Sequence, residues 1–135
     1  MKTAVSVFVG LAMAVAGAHG AASGESAAWV GVWNGQLDGQ PGVRLTVGND
    51  TGELGGTVVF NVIRKENGQA RVVGSSTHVL MHPKLEGNTL SFEVVRQSDL
   101  RELQMTVKLE SEGKAKLQCL NCGEDAPVAE IVREQ

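Results

Sequence analysis

Two short runs hold the residue types that could do chemistry, "CLNC" from Cys119 to Cys122 and "SSTH" from Ser75 to His78. A pair of cysteines two residues apart invites a redox, metal or disulfide reading. A redox pair of the thioredoxin type needs a helix N-terminus to lower one thiol pKa, whereas this motif falls where a strand enters a turn. A closed zinc site needs about four ligands, and the chain has no second pair of cysteines. A local disulfide is the favoured reading, with free thiols as the alternative: the ends of a turn lie within ~7 Å of each other, which suits bridge geometry. So small a ring contributes only about 2 kcal/mol through chain entropy.

Among the histidines, His19 lies in the leader described below, leaving His78 and His82. Four-residue spacing serves a metal on a helix, but in an extended segment it separates the two side chains by about 13 Å. Ser75 to His78 offers nucleophile and base types, yet neighbours on a strand face opposite ways and no acidic partner is identifiable, so a catalytic triad is not expected. Asp50 with Glu53, and Glu124 with Asp125, fall in turns, where solvated carboxylates are the norm. Asn49-Asp-Thr matches a glycosylation acceptor, relevant only to a eukaryotic secretory route. The expectation is therefore a non-enzymatic protein with no cofactor and no metal.

The elements that position these residues read as strands. "TLSFEVVR" and "ELQMTVKLE" are the clearest: Leu103, Met105, Val107 and Leu109 alternate with polar residues, the pattern of one buried and one solvated face. "GVRLTV", "LGGTVVFNVIRK", "ARVVGSSTHVLM", "AKLQCL" and "VAEIVRE" supply further runs, separated by glycine, asparagine and aspartate turns. Asn67-Gly68 suits a tight hairpin. "HPKLEGN" reads as a link, because Pro83 lacks a backbone donor. Only "QSDLRE" hints at a helical turn, with Asp99 and Glu102 at capping-box spacing. Both tryptophans stand at the start, where a period of two puts Trp29, Gly31, Trp33, Gly35 and Leu37 on one face and Val30 and Val32 on the other.

These runs predict an all-β, antiparallel up-and-down meander of about eight strands, closed as a barrel, with a two-sheet sandwich as the alternative. Trp29 and Trp33 would plug one end, the glycines between them leaving room for the rings. The inward row of Leu45, Phe60, Phe92, Val94, Met105, Val107 and Leu117 gives the candidates for a ligand cavity, since a barrel of about eight strands either holds one small ligand or fills itself.

The segment "GVWNGQL", a turn, "VRLTV", a glycine-bearing turn and "GELGGTVV" resembles the opening strands of calycin-type barrels, the lipocalins and avidins, with their G-x-W near the start of strand one. The resemblance covers about residues 29 to 60; avidins are nearer in size and in the G-x-L-x-G-T pattern, here Gly52 to Thr57. It implies that Trp33 lies across one barrel end and that a C-terminal arginine, Arg133, packs on its ring. It does not extend to a biotin site, which avidins line with tyrosines and later tryptophans. This chain has no tyrosine, and Phe60 and Phe92 are its only aromatic residues after Trp33.

The first 20 residues, with Lys2, an apolar run and small residues before a candidate cut, read as a cleaved signal peptide. Residues 21–28 would follow as a short flexible segment and 29–135 as one domain. The chain carries −3; without Lys2 the twelve basic residues become eleven against fifteen acidic, a net −4. The basic residues are scattered, which argues against nucleic acid. No second long apolar segment implies membrane insertion after cleavage. A secreted or periplasmic protein is expected. Its partner would be a small hydrophobic molecule or, through Val30 and Val32, an extracellular protein.

Overall fold

The structure, a computed structural model, describes residues 26–49, 52–124 and 126–135. The expected signal peptide and residues 21–25, Asp50 and Asp125 lie outside the described residues. Nine strands follow in chain order: β1 (Gly31–Leu37), β2 (Gln40–Gly48), β3 (Gly55–Glu66), β4 (Gln69–Val79), β5 (Met81–Glu86), β6 (Thr89–Val95), β7 (Glu102–Ser111), β8 (Lys114–Cys119) and β9 (Ala129–Arg133). All pair antiparallel in one sheet, in the order β4-β3-β2-β1-β9-β8-β7-β6-β5. Sequence neighbours are therefore sheet neighbours except β4 and β5, which are the two end strands, and β9 returns to pair with β1 through Trp33↔Arg133, Asn34↔Val132 and Gly35↔Ile131. The sheet curls into a half-barrel, as the all-β meander pattern predicts.

Alternation drives the curl. In β7 the even side chains Glu102, Gln104, Lys108 and Glu110 are exposed while Met105 and Val107 are buried. β6 repeats this with Leu90, Phe92 and Val94 inward, and β2 with Val43, Leu45 and Val47. No polar or charged residue among those described is buried. Each such fully buried side chain contributes about 1.5–3 kcal/mol. Asn67 and Gly68 both take positive φ, 52° and 79°, and close the β3–β4 hairpin as their types predict. Gly56 lets β3 cross close to β2: a Cβ there would collide with the Thr46 carbonyl.

Three local expectations are corrected. Trp29 is not in a strand; it ends a short turn in which Trp29 N and Val30 N both donate to Ser26 O, at 2.9 and 3.2 Å, and β1 begins two residues later. "QSDLRE" makes a single turn, with Leu100 N donating to Arg96 O at 2.7 Å, but not the capping box of Asp99 and Glu102. The Asp99 carboxylate accepts from Arg96 Nε and Nη2 at 2.9 and 2.6 Å and from Arg101 N at 3.2 Å, closing a loop that Glu102 leaves as a strand. Residues 81–86 are a strand rather than a link. Pro83 is tolerated because β5 is the outermost strand and its register shifts between Met81 and Lys84, so the missing N–H interrupts no inner ladder.

β4 and β5 are the two ends of the sheet, yet only Leu80 separates them in the chain. Leu80 N still donates to Gly56 O of β3 at 3.0 Å, and from Met81 onward the partner is β6. The segment 69–86 is thus a bent strand that changes neighbours at Leu80. This bend accounts for a ninth strand where eight runs are legible.

Candidate functional site: a sealed end and an open mouth

At one end the two indoles are shut away, Trp29 at 1% and Trp33 at 0% exposure, their ring centroids 5.8 Å apart. Trp33 Nε1 donates to Trp29 O at 3.0 Å, so the polar edge of the ring is satisfied where no water reaches it. The Arg133 guanidinium lies 5.7 Å from the Trp33 ring centroid, and its Nη1 donates to Ala28 O at 2.9 Å and Ala27 O at 3.3 Å. One arginine therefore covers an indole and caps the turn that carries the other. The neighbouring glycines make room for other groups: a Cβ on Gly31 would stand 3.1 Å from Arg133 Cδ, and one on Gly35 would stand 2.7 Å from Ile131 Cγ2.

The opposite end is open. A cavity of about 240 Å³ is lined by Leu37 and Val43 from β1 and β2, Phe60 from β3, Leu103 and Met105 from β7, Leu117 and Cys119 from β8, and Ala129 from β9. Cys122, Ala126 and Pro127 complete its rim. Cys119 and Cys122 are disulfide-bonded, with Cα atoms 5.6 Å apart. The loop between them is tied to β7 as a strand would be. Asn121 Oδ1 accepts from Gln104 N at 2.8 Å, Asn121 Nδ2 donates to Glu102 O at 3.1 Å, and Leu120 N donates to Gln104 O at 2.7 Å. The rim is thus fixed on one side by a covalent clip and three hydrogen bonds.

Of the seven cavity candidates, Phe60, Met105 and Leu117 line this mouth. Leu45, Val94 and Val107, each at 0% exposure, and Phe92 at 2%, lie in the packed core instead. Ala126 and Pro127 had no signal in the sequence, because the segment that folds them over the rim carries no periodicity. A larger hollow, about 890 Å³, runs outside the sheet past Asn34, Arg44, Asn61, Glu130 and Glu134. Several of its polar groups pair with one another: Asn34 Nδ2 donates to Glu134 Oε2, Arg44 Nη2 stands 3.6 Å from the same oxygen, and Asn61 Nδ2 donates to Pro41 O at 2.7 Å. The smaller mouth, with its apolar walls, is the better ligand site.

The histidines are held apart by different partners. His82 Nδ1 meets Glu93 Oε1 at 2.9 Å on the surface. His78 is half-buried beside the mouth, its ring centroid 5.8 Å from that of Phe60. Its Nδ1 lies 3.1 Å from Val95 O and its Nε2 lies 3.1 Å from Ser76 Oγ. Residues two apart on a strand share a face, so the serine that meets His78 is Ser76, a pairing that the argument from adjacent residues overlooks. Among the described residues no group of three or more His, Cys, Asp or Glu side chains is placed to hold a metal ion.

Hydrogen bonding from the Arg96 guanidinium lowers the Asp99 carboxyl to about 2, and the same contact raises Arg96. Both are exposed, at the rim loop between β6 and β7. No helix among the described residues is long and apolar enough to cross a membrane. The chain matches no protein-family model, no curated protein and no solved structure.

Proposed function

We propose that the protein is a secreted carrier or scavenger that holds a small apolar molecule in the mouth without turning it over. The observation that carries this reading is an apolar cavity of about 240 Å³ at one end of a half-barrel whose other end is filled by two tryptophans. Its volume exceeds the ~150 Å³ that holds benzene and falls below the ~300 Å³ at which drug-sized sites begin. The ligand is then a single ring or a short acyl chain. The calycin-like opening segment supports the same reading, since Trp33 and Arg133 stand together at the sealed end as that resemblance implies. The leader and the disulfide fit export to an oxidising compartment.

Displacement of an environment-sensitive apolar dye from the mature domain tests the proposal, with native mass spectrometry for stoichiometry. Leu103→Glu puts a carboxylate in the mouth and should abolish binding while the tryptophan emission of the folded state persists. Undiminished binding in that variant would place the ligand elsewhere.

A second reading, a module that docks another extracellular protein, is favoured by one observation. The edge strand β4 exposes Val72, Val73 and Val79, and Val30 and Val132 lie exposed around β1 and β9. Unlike β5, β4 carries no proline. An unguarded edge of this kind accepts an added strand. Val73→Lys, or Val30→Lys with Val32→Lys, would abolish capture of such a partner and leave dye binding untouched.

A further inference from the structure

Ser76 and His78 are absorbed by neither reading, and their geometry is that of an activated nucleophile. A carbonyl oxygen can only accept, so the 3.1 Å contact to Val95 O puts the proton of the neutral ring on His78 Nδ1. Nε2 is then the bare lone pair, 3.1 Å from Ser76 Oγ, and accepts the serine proton. A base oriented by a third group and bonded to a hydroxyl is the arrangement from which nucleophilic serines are made. Here the orienting group is a backbone carbonyl, which fixes the same tautomer that a carboxylate would.

The position matters as much as the pair. Ser76 is the cross-strand partner of Phe60, whose ring lines the mouth and packs against His78. Val95 follows Val94, whose own partner Leu103 lines the same mouth. The pair therefore stands behind two of the mouth's walls, on the strand where the sheet is free at its edge. Ser76 and His78 are both partly open to solvent, so neither is sealed into the core.

We infer that Ser76 is an acyl acceptor activated by His78, and that it takes the acyl group of a short ester. Ser76 Oγ attacks the ester carbonyl and its proton passes to His78 Nε2. The new Oγ–C bond forms, the bond from carbonyl carbon to alkoxy oxygen breaks, and the departing oxygen takes the proton from Nε2. The product is an acyl-serine and a free alcohol, with no further reactant. That the acyl chain reaches past the Phe60 ring into the mouth rests on the proposed function; the nucleophile does not, and the two are tested separately.

Mature protein is incubated with 4-nitrophenyl acetate or 4-nitrophenyl butyrate, and the modified residue is located by peptide mass mapping. Expected is one acyl group, on Ser76, in unaltered protein. Ser76→Ala loses it, Ser75→Ala keeps it, and His78→Gln slows it by about 100-fold or more, the usual contribution of a positioned base. Leu103→Glu slows butyryl transfer more than acetyl transfer. Acyl groups found only on lysines or the N-terminus, or a rate unmoved by His78→Gln, overturn the inference. Acylation of Ser76 that does not distinguish butyrate from acetate in Leu103→Glu sustains the nucleophile and removes the mouth as its acyl site.

Discussion

The two ends of the half-barrel are built from the same alternating strands and finished in opposite ways. At the sealed end two buried indoles, one arginine and a turn of backbone pack against and hydrogen-bond one another. At the mouth apolar side chains surround a cavity of about 240 Å³, and the rim is held by a disulfide and the hydrogen bonds of Leu120 and Asn121 rather than by bulk. Close packing stabilises the first; the second leaves apolar surface uncovered, which is the condition for binding.

The comparison breaks most easily at the sealed end. Trp33→Ala removes a fully buried ring, its hydrogen bond to Trp29 O and the platform of Arg133; a loss of about 3–5 kcal/mol is expected, enough to unfold much of the population by urea titration. At the mouth Leu103→Ala should cost less than about 2 kcal/mol, because one side of that half-buried residue already faces empty space. If the two variants were equally destabilised, the asymmetry of the ends would be an illusion of the static picture. Cys119→Ser with Cys122→Ser is expected to cost about 2 kcal/mol and to loosen dye binding more than it lowers stability, since the clip closes a short ring at the rim.

Because both tryptophans lie at the far end from the mouth, a ligand there should leave intrinsic emission nearly unchanged while it displaces the dye. A large quench would locate the ligand at the sealed end.

The smallest effect concerns acid. Asp99, lowered to about 2 by Arg96, favours the folded state wherever it is ionised. That contribution is present above the ordinary carboxylate value of 3.8 and is lost as pH falls from there toward about 2. Asp99→Asn should erase this part of the acid response and little else at neutral pH. Carboxyl titration by NMR gives the midpoint directly.

Most of the sheet is legible in the sequence, and the reason is local. β6 to β9 alternate cleanly, and Asn67-Gly68 names its own turn. Trp33 and Arg133 meet because β1 and β9 place them in direct register. Trp29 is misread because small residues before it permit a turn that period-two counting cannot see. Pro83 is misread because whether a proline is tolerated depends on which strand ends up outermost, a property of the whole sheet. The mouth is half legible: alternation says which residues point inward, not which inward residues have a neighbour across from them. Leu45 and Val107 point inward and are covered, whereas Phe60 and Met105 point inward and line the mouth. Ser76 is within reach of the strand pattern, since it stands two residues from His78, but Val95, whose carbonyl His78 meets, comes from a strand the pattern does not bring near.

The pairing of β9 with β1 fastens side chains about a hundred residues apart, as the Asn34–Glu134 contact records. That ladder lies in the middle of the sheet, with β2 on one side and β8 on the other. Loop-closure entropy of this size makes such pairing slow. The hairpins on either flank can assemble early, but they remain two unjoined halves, each with a raw hydrophobic border, until the last strand arrives to weld them.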